Sequence, residues 1–207
     1  MALDLAKVGD AVRRTGVKFF GDLDLGPGSY SIRVLVRNGQ TGAAGMRVAA
    51  LAVQPFANQA APLLLPPFFP EPAGRWLMVR EAKARAGEVP YPFMARGQAF
   101  IPASRPVLTP GQAAAVSLVG YRLGAGELKA EAMVMTADGK EAGAAKIQIL
   151  GRDAAGPGMA DGPDRLTATF EPAKLPPGEY LLLVTVTNAQ GGVGTSVAPF
   201  VVAGAKG

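Results

Sequence analysis

The sequence contains no cysteine and no histidine. Zinc sites of the Cys or His type are therefore excluded. Ser-His-Asp and Cys-His nucleophile systems are excluded as well. No disulfide, thiol redox centre or imidazole proton shuttle can form. Charge is also scarce, at 18% of residues, and the net formal charge of +5 comes from Lys and Arg scattered among acids. A nucleic-acid footprint would gather them on one face. The nearest grouping is Arg75, Arg80, Lys83, Arg85, Arg96 and Arg105, and Glu81 and Glu88 interrupt it. We expect no nucleic-acid partner. Long hydrophobic runs are missing too. The longest apolar stretch, residues 62–69, is short and proline-rich, so no membrane span is expected. Residues 1–16 lack the apolar core of a signal peptide.

What the chain does have is 27 glycines and 18 prolines in 207 residues, with 49% apolar residues. That density of Gly and Pro disfavours long helices, and the apolar fraction is too high for disorder. A turn-rich, all-β protein is the expectation.

A self-match gives the most information. Residues 20–42 laid over 170–192 share ten identities in 23 positions. Phe20 meets Phe170, Leu25 meets Leu175, Pro27-Gly28 meets Pro177-Gly178 and Tyr30 meets Tyr180. Val34, Val36, Asn38, Gln40 and Gly42 meet Val184, Val186, Asn188, Gln190 and Gly192. After a one-residue deletion Gly45, Val48 and Val53 meet Gly194, Val197 and Val202. The same supersecondary unit therefore occurs twice. Tyr30, Ile32, Val34 and Val36 alternate with Ser29, Ser31, Arg33 and Arg37, and Tyr180, Leu182, Val184 and Val186 repeat that phase. This is the period of a strand with one dry face.

In each copy a Leu, a Pro-Gly and then a Tyr follow in order, at Leu25, Gly28 and Tyr30 and at Leu175, Gly178 and Tyr180. This is the pattern of a tyrosine corner, whose hydroxyl bonds backbone a few residues upstream. Pro-Gly-x-Tyr also begins hairpins in other β folds, but its double occurrence favours a sandwich. The chain resembles immunoglobulin-like and fibronectin-III-like Greek-key β-sandwiches in their last three strands.

Before the second copy the alternation predicts earlier strands at 99–101, 114–123, 128–134, 146–150 and 165–170, which with two more make seven. Asp138-Gly139 marks a hairpin. Before the first copy only 16 residues precede Val17, with a mild helical pattern in Leu3, Leu5, Val8 and Val12. The expected organisation is an incomplete Ig-like unit over 1–54, a stiff proline-rich connector over 55–95 and a complete Ig-like sandwich over 96–203. The incomplete unit reads as part of a longer parent chain. The alternative is strand donation by a protein partner or by a second copy, since unpaired edges favour association.

Residues 22–38, then Tyr91-Pro92-Phe93, Phe100-Ile101-Pro102 and 107–111 (VLTPG) carry a second resemblance. In them the layout is similar to the C-terminal region of bacterial von Willebrand factor A-related secreted proteins. The resemblance implies an extracellular or cell-envelope location. The Asp-x-Ser-x-Ser adhesion motif of that family's A domain is absent, so no metal site is carried over.

Carboxylates are the remaining common catalytic groups. Glu127 and Glu131 share a strand face with Lys129 between them, which reads as a solvated face. Asp161 and Asp164 lie in a Gly-Pro loop where turn formation explains both, and with Asp153 they are too few for calcium. No catalytic residue, metal or cofactor is expected. The aromatic residues Phe68, Phe69, Trp76, Tyr91 and Phe93 are the candidate partner or ligand patch. The leading reading is a non-enzymatic structural or protein-interaction module of a larger exported bacterial protein. The second is a carbohydrate-binding module that uses the aromatics near Trp76.

Overall fold

Alternation of large apolar and small polar side chains sets most of the strands of this protein, seen in a computed structural model. The structure describes residues 4–20, 23–53, 55, 61–72, 77–80, 93–95, 97–154, 162–172 and 174–204. Among these the protein is mostly β, and its one helix is α1 (Leu5–Thr15). Asp4 caps that helix by accepting from the Ala6 amide at 3.0 Å. Gly16 ends it with φ 76°, a left-handed backbone that glycine adopts without a Cβ clash.

The chain divides into two units, residues 21–60 and the remainder. In the larger unit one curled sheet holds eight strands. These are β4 (Leu63–Leu64), β9 (Val107–Leu108), β10 (Ala114–Tyr121), β11 (Lys129–Thr136), β12 (Glu141–Asp153), β13 (Asp164–Pro172), β14 (Gly178–Thr187) and β15 (Val193–Val202). Their order across the sheet is β4-β10-β13-β12-β11-β14-β15-β9. Every neighbouring pair is antiparallel except β9, which runs parallel to β15.

Strand β12 belongs to two ladders. Its first residues pair with β11, ending at Met133↔Ala144, and from Ala145 onward it pairs with β13. The sheet curls on itself there, and the inward side chains meet. Leu118, Val134, Leu166, Phe170, Leu182, Val184, Val186 and Phe200 are fully or almost fully buried. The rings of Phe170 and Phe200 lie edge to face at 5.6 Å. In β13, β14 and β15 burial alternates residue by residue, as the sequence period demands. Each buried Leu, Val or Phe in this core contributes about 1.5–3 kcal/mol of hydrophobic transfer.

Six of the seven expected strands are found as β10 to β15. The seventh, around residues 99–101, is β8 (Gln98–Pro102), but it lies in a separate three-stranded sheet with β5 (Pro70–Pro72) and β7 (Met94–Ala95). The place beside β10 is taken instead by Leu63 and Leu64. Within the expected connector, residues 63–68 run along the edge of the main sheet, and Pro70–Pro72 pair with β8. The amides left between prolines are used in this pairing, with Leu65 donating to Val119 at 2.8 Å and Phe68 to Ser117 at 2.9 Å. Proline lacks a donor and is tolerated at such an edge. Similarly, β1 (Val17–Phe20) pairs parallel with β6 (Leu77–Arg80) and groups with the larger unit, not with the repeat that follows it. Lys18 reinforces this, its ammonium 2.7 Å from Glu71 and 3.0 Å from the Pro102 carbonyl.

Among its described residues the smaller unit holds one ribbon, β2 (Gly28–Arg37) with β3 (Ala44–Val53).

Candidate functional site

The two copies of the repeat share more than sequence. Both strand pairs, β2–β3 and β14–β15, form ladders of the same register. Gly28↔Val53, Tyr30↔Leu51, Ile32↔Ala49 and Val36↔Gly45 correspond to Gly178↔Val202, Tyr180↔Phe200, Leu182↔Ala198 and Val186↔Gly194. The one-residue sequence offset is absorbed in the turn. Asn38 N–H bonds the Ala43 carbonyl, whereas Asn188 N–H bonds that of Gly192. In each turn the Asn carboxamide oxygen accepts from the amide of the Gln two residues on, at 2.9 Å in one and 3.1 Å in the other.

The corners match as well. Tyr30 donates its hydroxyl to the Gly26 carbonyl at 2.8 Å, and Tyr180 donates to that of Pro176 at 2.9 Å. The ring folds back over the glycine two residues before it. A Cβ on Gly178 would lie 3.3 Å from the Tyr180 ring and one on Gly28 3.5 Å from the Tyr30 ring, so a residue without a side chain suits the position. What differs is the surroundings. Leu175 and Tyr180 lie in the core, while Leu25 and Tyr30 are only half-buried.

On the ribbon the apolar side chains are open. Val34, Leu35 and Val36 are 53%, 66% and 68% exposed, whereas Val184 and Val186, the matches of Val34 and Val36, are 0% exposed.

The aromatic set divides. Phe69 is buried in the core against Phe170 and Phe200, with ring centroids 6.4 and 6.3 Å away, so it is not a surface ligand contact. Phe68 and Phe93 are half-buried and pack on each other at 5.1 Å and on Phe100 at 6.4 and 5.7 Å. Trp76 and Tyr91 lie outside the described residues.

The acids are engaged structurally. Lys129 sits 2.6 Å from Glu131, and that hydrogen bond, followed by the carboxylate charge, raises the ammonium above its ordinary pKa. Glu127 is an exposed residue before β11. Asp161 lies outside the described residues, and Asp153 is the exposed last residue of β12. Asp164 is not a turn residue. It is the buried first residue of β13, 2.5 Å from the Arg152 guanidinium. That guanidinium also donates to the carbonyls of Gly124 and Gly126. Arg152 thus pins the loop between β10 and β11 to the β12–β13 pair. The signal was present in the sequence, because Asp164 occupies the same alternation phase as Leu166, Ala168 and Phe170. Among the described residues no three Asp or Glu side chains gather to hold a metal ion.

One groove of about 580 Å³ opens where β11 and β12 part. Ala130, Ala132, Ala145 and Ile147 give it an apolar floor, and Glu131, Lys146 and Glu171 rim it.

The sequence matches no protein-family model and no curated protein.

Proposed function

We propose that this chain is a non-enzymatic structural or protein-interaction module with immunoglobulin-like architecture, belonging to a larger exported bacterial protein of the von Willebrand factor A-related kind. The observation that carries this reading is the pair of ladders in identical register, each opened by a Tyr that bonds backbone four residues upstream. Repetition of one β unit at this level is the mark of a modular scaffold. The strand order supports the finer assignment. The strands β4, β10, β13 and β12 follow the A-B-E-D order of one sheet of an Ig-like sandwich, and β11, β14 and β15 follow the C-F-G order of the other. Tyr180 then falls near the start of strand F, where a tyrosine corner belongs. Export rests on the family resemblance.

Intrinsic fluorescence of Trp76 in the full chain tests the reading. Titration with oligosaccharides is expected to leave emission and quencher accessibility unchanged. A saturable shift would replace the interaction-module reading with a carbohydrate-binding one. Turnover in a panel of glycoside and ester substrates, lost on mutation of Glu131 or Glu171, would replace it with a hydrolase.

A further inference from the structure

Ribbon β2–β3 is a two-stranded element whose β2 dry face, Tyr30, Ile32, Val34 and Val36, matches that of the buried strand β14. The matched pair in the same chain displays what normally covers it. There β11 lies antiparallel along β14, with Ala130, Ala132, Val134 and Thr136 opposite Val186, Val184, Leu182 and Tyr180. Carried across by register, those positions face Val36, Val34, Ile32 and Tyr30 of the ribbon. Small apolar side chains at alternate positions are what the edge of β2 would accept.

The ribbon differs from its covered counterpart in charge. Arg33, Arg37 and Arg47 stand where β14 and β15 have Leu183, Thr187 and Ser196, and no acid occurs between Gly28 and Val53. Arg47 lies on the dry face, opposite Val34. A second copy laid edge to edge would double this positive charge with no carboxylate in either ribbon to answer it, and like charges across strands are unfavourable. A partner strand bearing acids would be attracted.

We infer that the edge of β2 away from β3, unpaired among the described residues, docks an acidic β-strand of a separate partner protein. That strand adds antiparallel along residues 30–37, with small apolar residues inward and carboxylates opposite Arg33 and Arg37. By register the carboxylates occupy the positions that Met133 and Lys129 hold on β11. Main-chain hydrogen bonds supply affinity in this mode, and the alternating side chains supply specificity. The inference rests on the interaction-module reading and names its partner.

The test uses the full chain and a fluorescent peptide of residues 127–138 carrying Lys129→Glu and Met133→Glu. The comparison peptide keeps Lys129 and carries Glu131→Lys and Met133→Lys. In anisotropy titrations the acidic peptide is expected to bind saturably and about tenfold or more tighter than the basic one, with the difference shrinking in high salt. Amide exchange should slow within residues 30–37. The double variant Arg33→Glu with Arg37→Glu, at exposed positions and checked by circular dichroism, should reverse the preference. Absence of binding, equal binding of both peptides, or protection confined to residues 129–132 would overturn the inference. So would concentration-dependent doubling of mass that abolishes peptide binding, since the occupant would then be a second copy. None of these outcomes alters the Trp76 titration, so failure here is distinguishable from failure of the module reading.

Discussion

The ring of Tyr180 stacks on that of Phe200, with centroids 5.8 Å apart and planes inclined by 30°. The two residues are also cross-strand partners. At the matching pair of the ribbon, Tyr30 faces Leu51. The same corner is thus built twice, once inside a core and once on a ribbon, and substitutions at equivalent positions separate local geometry from packing.

Tyr180→Phe removes a hydroxyl bonded in a part-buried site and leaves the Pro176 carbonyl without that donor. A loss of about 1–3 kcal/mol is expected in denaturant unfolding. Tyr30→Phe removes the equivalent bond in an exposed site, and the loss should be about 1 kcal/mol or less. Equal effects at the two sites would contradict the difference in burial.

Val184→Asp buries a carboxylate with no cation on the same face, at a position that is 0% exposed. The chain is expected to lose cooperative unfolding by near-ultraviolet circular dichroism. Val34→Asp, at the matching position that is 53% exposed, should change the thermal midpoint little.

Arg152→Ala leaves Asp164 buried without its guanidinium and frees the carbonyls of Gly124 and Gly126. A destabilisation of about 3–5 kcal/mol is expected. Arg152→Lys should recover only part of it, because a single ammonium cannot reproduce the planar fork that reaches both carbonyls and the carboxylate. Chemical denaturation of the two variants side by side provides the measurement.

The carboxyl of Asp138 is held below its ordinary pKa, first by a hydrogen bond from the Thr136 hydroxyl and then by one from Lys140. A depressed folded pKa stabilises the fold above the unfolded pKa, and the contribution disappears as pH falls through the folded value. Thr136→Val should therefore raise the titration midpoint of Asp138, read from its carboxyl carbon shift, and flatten the acid side of the thermal-midpoint profile. A midpoint that does not move would remove the hydroxyl as the cause.

Period-two alternation made β11, β13, β14 and β15 legible in the sequence, and β13 to β15 bury one face along most of their length. The repeat and its corners were legible because identical residues recur at one offset. Leu63–Leu64 and Val107–Leu108 were not, since two residues carry no period. Their pairings depend on what lies across the sheet, and the prolines around Leu63–Leu64 suggest a connector as readily as an edge. The parallel pairing of Val17–Phe20 with Leu77–Arg80 is equally non-local. Asp164 was misread for a different reason: a Gly-Pro neighbourhood outweighed its alternation phase. Phe69 shows the converse, since an aromatic among prolines looks like a surface feature until its ring is found between Phe170 and Phe200.

Strand β12 has a consequence for cooperativity. One continuous strand serves the β11 ladder at its start and the β13 ladder along the rest of its length. The two ladders use different residues of this one strand, so loss of order along β12 would weaken both. Opening is therefore shared across the seam, and the slowest-exchanging amides of β11, β12 and β13 should report a single free energy, that of global unfolding.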